Sequence, residues 1–292
     1  MRRVVIGLGL VLALLPATAQ AQLRASDGVA ALEAGDPVRA REIWERLAAR
    51  GDLLAQYNLG VLALESDPEE ARRWLGMAAR EGHLPAQRLL GGLAFETGEW
   101  RTARRWFRPV AQAGEAQAQL ALAMLLDQGL GGPVNRSGAA LWYVRAADQG
   151  LPEAAFALGA LRAEEGEAEA AARAFAQAAE AGHAPAMHNL AFAYARGEGV
   201  AQDPARARAL YLQAAQAGHA PAMHNLALMQ ARGQGGERRF TPALAWALNA
   251  RDAGHAPSEA LVEALREEMA SEAVAAAEAM AQACRTGAEG CD

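Results

Sequence analysis

The chain has 292 residues, of which 52% are apolar, only 5% aromatic and 21% charged. With Ala at roughly a quarter of all residues, that balance excludes a disordered chain, a collagen and a small disulfide-built scaffold, and it predicts an all-α protein with thin side chains. The formal charge is −6 and all 28 basic residues are Arg, which argues against nucleic acid as a ligand and removes every mechanism that needs a Lys ammonium.

The first predicted element is a leader. Met1, Arg2 and Arg3 precede an apolar run over 4–15, and Pro16 leads to Ala19-Gln20-Ala21, a small-x-small cleavage site. The run would reach about 18 Å as a helix, short of the roughly 30 Å hydrocarbon core, so 1–21 reads as a secretory signal peptide rather than an anchor. Its removal takes away two positive charges. The mature chain is expected to be acidic, soluble and periplasmic, with no membrane insertion after cleavage.

Residues 22–50 predict a capping helix pair. A pattern Gly-x3-Ala-x3-Leu then recurs from Gly51, Gly82, Gly114, Gly150, Gly182, Gly218 and, with Ser258 and Val262 in the later slots, Gly254. The glycines are 31, 32, 36, 32, 36 and 36 residues apart, and 182–191 repeats verbatim as 218–227. Six repeats follow, over 51–81, 82–113, 114–149, 150–181, 182–217 and 218–253, and 254–292 forms C-terminal capping helices and a tail. In each repeat the Ala and Leu slots share one face of a first helix, with Pro185 or Pro221 near its start. A second helix carries a pair of large apolar residues, such as Trp74-Leu75 or Trp142-Tyr143, between small ones. The 36-residue repeats insert a Gly-rich turn between the helices, as at Gly197-Glu198-Gly199. The shorter repeats lack it, a change confined to a loop that leaves both packing faces intact.

These Ala-x3-Leu, Gly-x-Gly-Val and aromatic-x2-Ala-Ala blocks resemble the Sel1-like repeat, a relative of the tetratricopeptide repeat. The match is best over 182–217, where Ala186, Leu190, Gly197, Gly199, Val200, Asp203, Tyr211, Ala214 and Ala215 fall in place. It is poorest over 150–181, where 164–167 replaces the Gly turn. The resemblance implies a right-handed α-solenoid of antiparallel helix pairs whose concave surface binds a protein or peptide segment. Similar exported proteins regulate envelope sensor kinases or act as adaptors in polysaccharide secretion, and others are described as β-lactamases. The expectation is therefore a non-enzymatic scaffold. The alternative is a β-lactamase or a hydrolase or binder of cell-wall muropeptides, and a self-associating structural protein is a third reading.

Chemistry-bearing residues give no catalytic, metal or cofactor site. Ser-x-x-Lys is closed by the absence of Lys, no Gly-x-Ser-x-Gly or His-x-His-x-Asp run exists, and the serines sit at helix starts or turns. His83, His183, His219 and His255 follow repeat glycines, where they are expected to bond at helix starts. His188 and His224 share a later slot, and copies in adjacent units are expected about 8 to 10 Å apart, too far for one ion. Partner binding is assigned to Asn58, Asn189 and Asn225, an amide ladder before the repeat Leu that can bond an extended peptide or a neighbouring loop carbonyl. It is also assigned to Arg101, Arg104, Arg105 and Arg108, one basic helix face that can dock an acidic partner or stay solvated. Cys284 and Cys291, the only thiols, are expected to form a disulfide with a turn at Gly287.

Overall fold

The computed structural model describes residues 23–285. The expected leader and the tail with Gly287 and Cys291 lie outside them. Among the described residues there are sixteen helices and no strand, which is the all-α hairpin architecture the repeats imply. The chain divides after Val110 into two compact units.

The first unit contains α1 (Ala25–Glu33), α2 (Pro37–Ala48), α3 (Leu53–Ala63), α4 (Pro68–Arg80), α5 (Leu84–Glu96) and most of α6 (Trp100–Gln112). Trp44 ties α2 to α1, its Nε1 donating to the Ala25 carbonyl at 2.9 Å. A Cβ on Gly28 would lie 2.3 Å from that indole, so only glycine lets α1 seat on it. Arg41 on α2 donates to Glu70 on α4 at 2.8 Å, and Trp74 Nε1 adds a bond at 3.2 Å. Both bonds favour the anion, and the arginine beside it is the larger reason that the Glu70 carboxyl is held below its usual range.

The second unit contains α7 (Ala116–Asp127), α8 (Arg136–Asp148), α9 (Pro152–Glu164), α10 (Ala168–Glu180), α11 (Ala184–Arg196), α12 (Pro204–Gln216), α13 (Ala220–Arg232), α14 (Phe240–Asp252), α15 (Ser258–Glu267) and α16 (Ser271–Arg285). Successive helices pair as hairpins, and each hairpin packs on the next through Ala and one large residue. Ala186 and Leu190 of α11, for example, join Ala171, Ala172, Phe175 and Ala178 of α10 in one buried cluster. At the C-terminal end, α15 and α16 cover the stack with Val262, Leu265, Ala277 and Ala281. Cys284 packs at the margin of that cluster.

The repeat glycine ends each second helix. Gly182 sits at φ +85°, its N–H bonded to the Ala179 carbonyl and the His183 N–H to the Ala178 carbonyl. This is the paired closure that a left-handed residue permits. The next residue opens the following helix, so one Gly both stops one element and starts another. The Gly-rich turn has a different role. A Cβ on Gly199 would lie 2.2 Å from the Ala168 carbonyl oxygen, and one on Gly235 2.2 Å from that of Pro204. Each turn therefore rests, backbone to backbone, on the start of the preceding second helix.

The paired large residues divide their work. Leu75, Phe107, Tyr143, Phe175 and Tyr211 are buried, whereas Trp74, Trp106 and Trp142 are only half-buried. An indole at the surface presents an open face, and Arg73, Arg105 and Arg145 lie over those rings at 5.1, 5.1 and 4.6 Å.

Candidate functional site

The three asparagines do not form one exposed ladder. Asn58 is 7% exposed, and its Nδ2 is buried with no hydrogen-bond partner among the described residues. Asn189 and Asn225 are half-buried and engaged with histidine. Asn189 Oδ1 lies 3.1 Å from His188 Nδ1. Asn225 Nδ2 lies 2.9 Å from His188 Nε2 and donates to the Tyr211 hydroxyl at 3.3 Å. These contacts fix the neutral tautomer: His188 Nδ1–H donates to Asn189, and its Nε2 lone pair accepts from Asn225. Burial pushes the Tyr211 hydroxyl up to about 12.

The four arginines assigned to a basic face lie on α6. Arg101, Arg105 and Arg108 are exposed and Arg104 is half-buried. Arg105 stacks over Trp106, and nearby Glu99 pairs with Arg72 at 3.6 Å. Stacked arginine recurs on Phe192 (Arg196, 5.2 Å), Tyr194 (Arg206, 4.6 Å) and Phe240 (Arg238, 4.4 Å). Phe192 is 41% exposed.

The histidines are the residues that sequence spacing underread. His83 and His183 cap α5 and α11, accepting through Nδ1 from the Ala86 and Ala186 N–H groups at 3.3 and 3.2 Å. Their rings also stack on the preceding hairpin, His83 on Tyr57 at 5.0 Å and His183 on Phe156 at 4.8 Å between centroids. The same position pairs His188 with His219 at 5.2 Å and His224 with His255 at 4.9 Å. Helix axes are too far apart for such contact, but facing side chains close the gap. His219 makes no capping bond. His224 and His255 both turn Nδ1 to the Ser258 hydroxyl, at 3.1 and 2.9 Å, and Ser258 is wholly buried.

Desolvation lowers the pKa of His83, His183, His188, His219 and His224. Among the described residues, no group of three His, Cys, Asp or Glu is placed to hold a metal ion. Two open depressions mark the described surface, one of about 510 Å³ beside Gln56, Met77 and Arg80 and one of about 440 Å³ beside Leu141, Val144 and Arg162. No described helix is long and apolar enough to cross a membrane.

Comparison with known proteins gives the following. The family model described as Sel1 repeat matches residues 21–52, 53–83, 114–151, 184–219 and 220–255, more than half of the chain. The hairpins α5–α6 and α9–α10 fall outside those matches. The chain is 31% identical over 130 residues to chitin synthase regulatory factor 3 of Schizosaccharomyces pombe, covering 40% of this chain and 14% of that protein. Among solved structures it resembles c5321, a protective antigen of uropathogenic Escherichia coli with an SLR fold. That likeness has a TM-score of 0.71 at 27% identity and covers 85% of this chain and 56% of that one. A Sel1 repeat protein from Oxalobacter formigenes superposes with a TM-score of 0.51 at 24% identity, over 82% and 86% of the two chains. The chain thus spans a small part of the curated relative and about half of the E. coli protein.

Proposed function

The chain belongs to the Sel1 repeat family, and from that premise we propose that it is an exported, periplasmic scaffold that recognises a protein segment and catalyses no reaction. Sel1 repeat proteins are in general protein-interaction scaffolds. The observation that carries the reading here is the set of six arginine-on-aromatic stacks at partly exposed rings, two in the first unit and four in the second. Aromatic and Arg side chains supply most interface hot spots, and a guanidinium held over a ring loses little freedom on binding. The exposed arginines Arg101, Arg105 and Arg108 make an acidic segment the best fit to α6. An envelope sensor or a secretion complex is the kind of partner this role serves.

A hydrolase finds no support in the same residues. Ser258, a hydroxyl between two imidazoles, is closed off inside the α13–α15 seam, where a substrate carbonyl cannot reach it. The proposal is tested by photo-crosslinking in intact cells from probes placed at Arg105 and Phe192, with fractionation to locate the adducts. A defined adduct with another protein in the periplasmic fraction, lost in an Arg105→Glu/Arg108→Glu variant, is expected. Adducts only in the cytoplasm, no adduct at either probe, or nitrocefin turnover by the purified chain would overturn it.

A further inference from the structure

We propose that the seams joining α11, α13 and α15 form a proton-operated latch, closed while the facing histidine rings are neutral and loosened when both rings of a pair carry a proton. The His188–His219 pair spans the seam between α11 and the start of α13, and the His224–His255 pair the seam between α13 and the start of α15. Two imidazolium rings at about 5 Å repel one another, and burial already disfavours the charged form of His188, His219 and His224.

The hydrogen bonds add a second penalty. Ser258 has one hydroxyl proton and faces two Nδ1 atoms, so it donates to one ring and accepts N–H from the other. Protonating the accepting ring makes both rings donors and leaves the buried hydroxyl proton without that acceptor. His188 Nε2, now a lone pair facing the Asn225 amide, would become a donor facing a donor, so the amide must turn or the bond is lost.

No carboxylate is among the groups that act on His188, His219 and His224. The groups facing His188 are Asn189 on its own helix, Tyr211 on α12, and Asn225 and His219 from α13, and His255 adds repulsion. His219 feels His188, His183 and His255. His224 faces His255 and Ser258. Glu153 acts on His183 and favours its cation, but burial there is the larger influence.

The sign follows. A histidine whose folded value is lowered contributes stability that is complete above its ordinary value, about 6.5, and is lost as pH falls through the lowered value. The α3–α5 seam has one histidine against a tyrosine, Tyr57–His83, and so lacks the like-charge pair.

The test is hydrogen exchange of the full chain at pH 7.5 and 5.5, corrected for intrinsic rates. Peptides from α11, α13 and α15 should exchange at least tenfold faster at the lower pH, relative to α3 and α5. The His188→Phe/His224→Phe variant copies the chain's own Phe156–His183 contact and should keep its protection at both values. Uniform protection in the wild type, or an equal loss in the double variant, would overturn the latch. Should that variant not fold, ring resonances of the wild type decide. Coupled titration of the two pairs sustains the proposal, and six independent curves at the ordinary histidine value refute it.

Discussion

Gly199 stands at φ +72°, and the atom a Cβ would meet there is a backbone oxygen that no side-chain rotation can move. Gly182 has φ +85° with nothing within 4 Å. Gly182→Ala therefore carries the left-handed penalty alone, about 1 kcal/mol. Gly199→Ala must also lift the turn from α10, for a loss of about 3 kcal/mol or more. Urea midpoints of the two variants measure the difference, and equal losses would mean that the turn does not rest on Ala168. The Gly-x-Gly spacing was legible as a turn. Its seat was not, because Ala168 contributes a carbonyl that every residue type owns. The histidine contacts had a signal that spacing within one repeat hides. Where His follows a repeat Gly, the slot six residues after the previous repeat Gly holds Tyr57, Phe156, His188 or His224. The equivalent apolar pair, Leu120 and Leu151, packs in the same way against the second unit's core. The asparagine slot on the first helix leaves an extended peptide and a neighbouring loop carbonyl equally open as partners in the sequence. In the folded chain the adjoining histidine and tyrosine engage two of them.

Within a helix, adjacent glycines can have opposite effects. Gly91 and Gly92 are neighbours on α5. A Cβ on Gly91 would meet the Phe107 ring at 2.9 Å, whereas one on Gly92 meets nothing within 4 Å. Gly91→Ala should destabilise by about 1 to 3 kcal/mol through overpacking, because Phe107 is buried and its ring must move. Gly92→Ala should stabilise by about 0.5 to 1 kcal/mol, since it only removes unfolded-chain freedom and improves helix propensity. Chemical denaturation of the two single variants checks the sign, and a stabilising Gly91→Ala would show that α5 and α6 pack more loosely than described. The same device recurs where Gly159 meets Phe175 and Gly60 meets Leu75. At this scale the sequence was most informative. Helix stops at repeat glycines, starts at Asp36, Asp67 and Asp203, and turn positions all follow from local chemistry. The half-burial of Trp74, Trp106 and Trp142 was less legible, because a large apolar residue on a packing face reads as core until arginine is seen to cover its open side.

Because the hairpins of the second unit contact chiefly their sequence neighbours, a whole repeat should be removable where its two flanking surfaces are alike. Deleting 182–217 joins Ala181 to Gly218 and recreates the local sequence, since 182–191 and 218–227 are identical. Ala222, Met223 and Leu226 of α13 would then replace Ala186, Met187 and Leu190 against α10, His219 would meet Phe156 where His183 did, and Gly235 would seat on Ala168 in place of Gly199. Three substitutions at the new seam are not neutral: Gln230 replaces Tyr194, Gly236 replaces Val200 and Trp246 replaces Leu210, all beside the α10 cluster. The shortened chain should keep its helicity per residue and a cooperative transition, at a lower midpoint because one hairpin and its nearest-neighbour contacts are gone. Deleting 182–199 removes α11 but leaves α12, so two second helices follow one another and the apolar face of α10 loses its cover. That chain should lose cooperativity and aggregate. Circular dichroism melts with light scattering compare the two. Similar behaviour of both deletions would mean that stability does not depend on repeat register, whereas survival of the 36-residue deletion alone ties the fold to the period that the glycines mark.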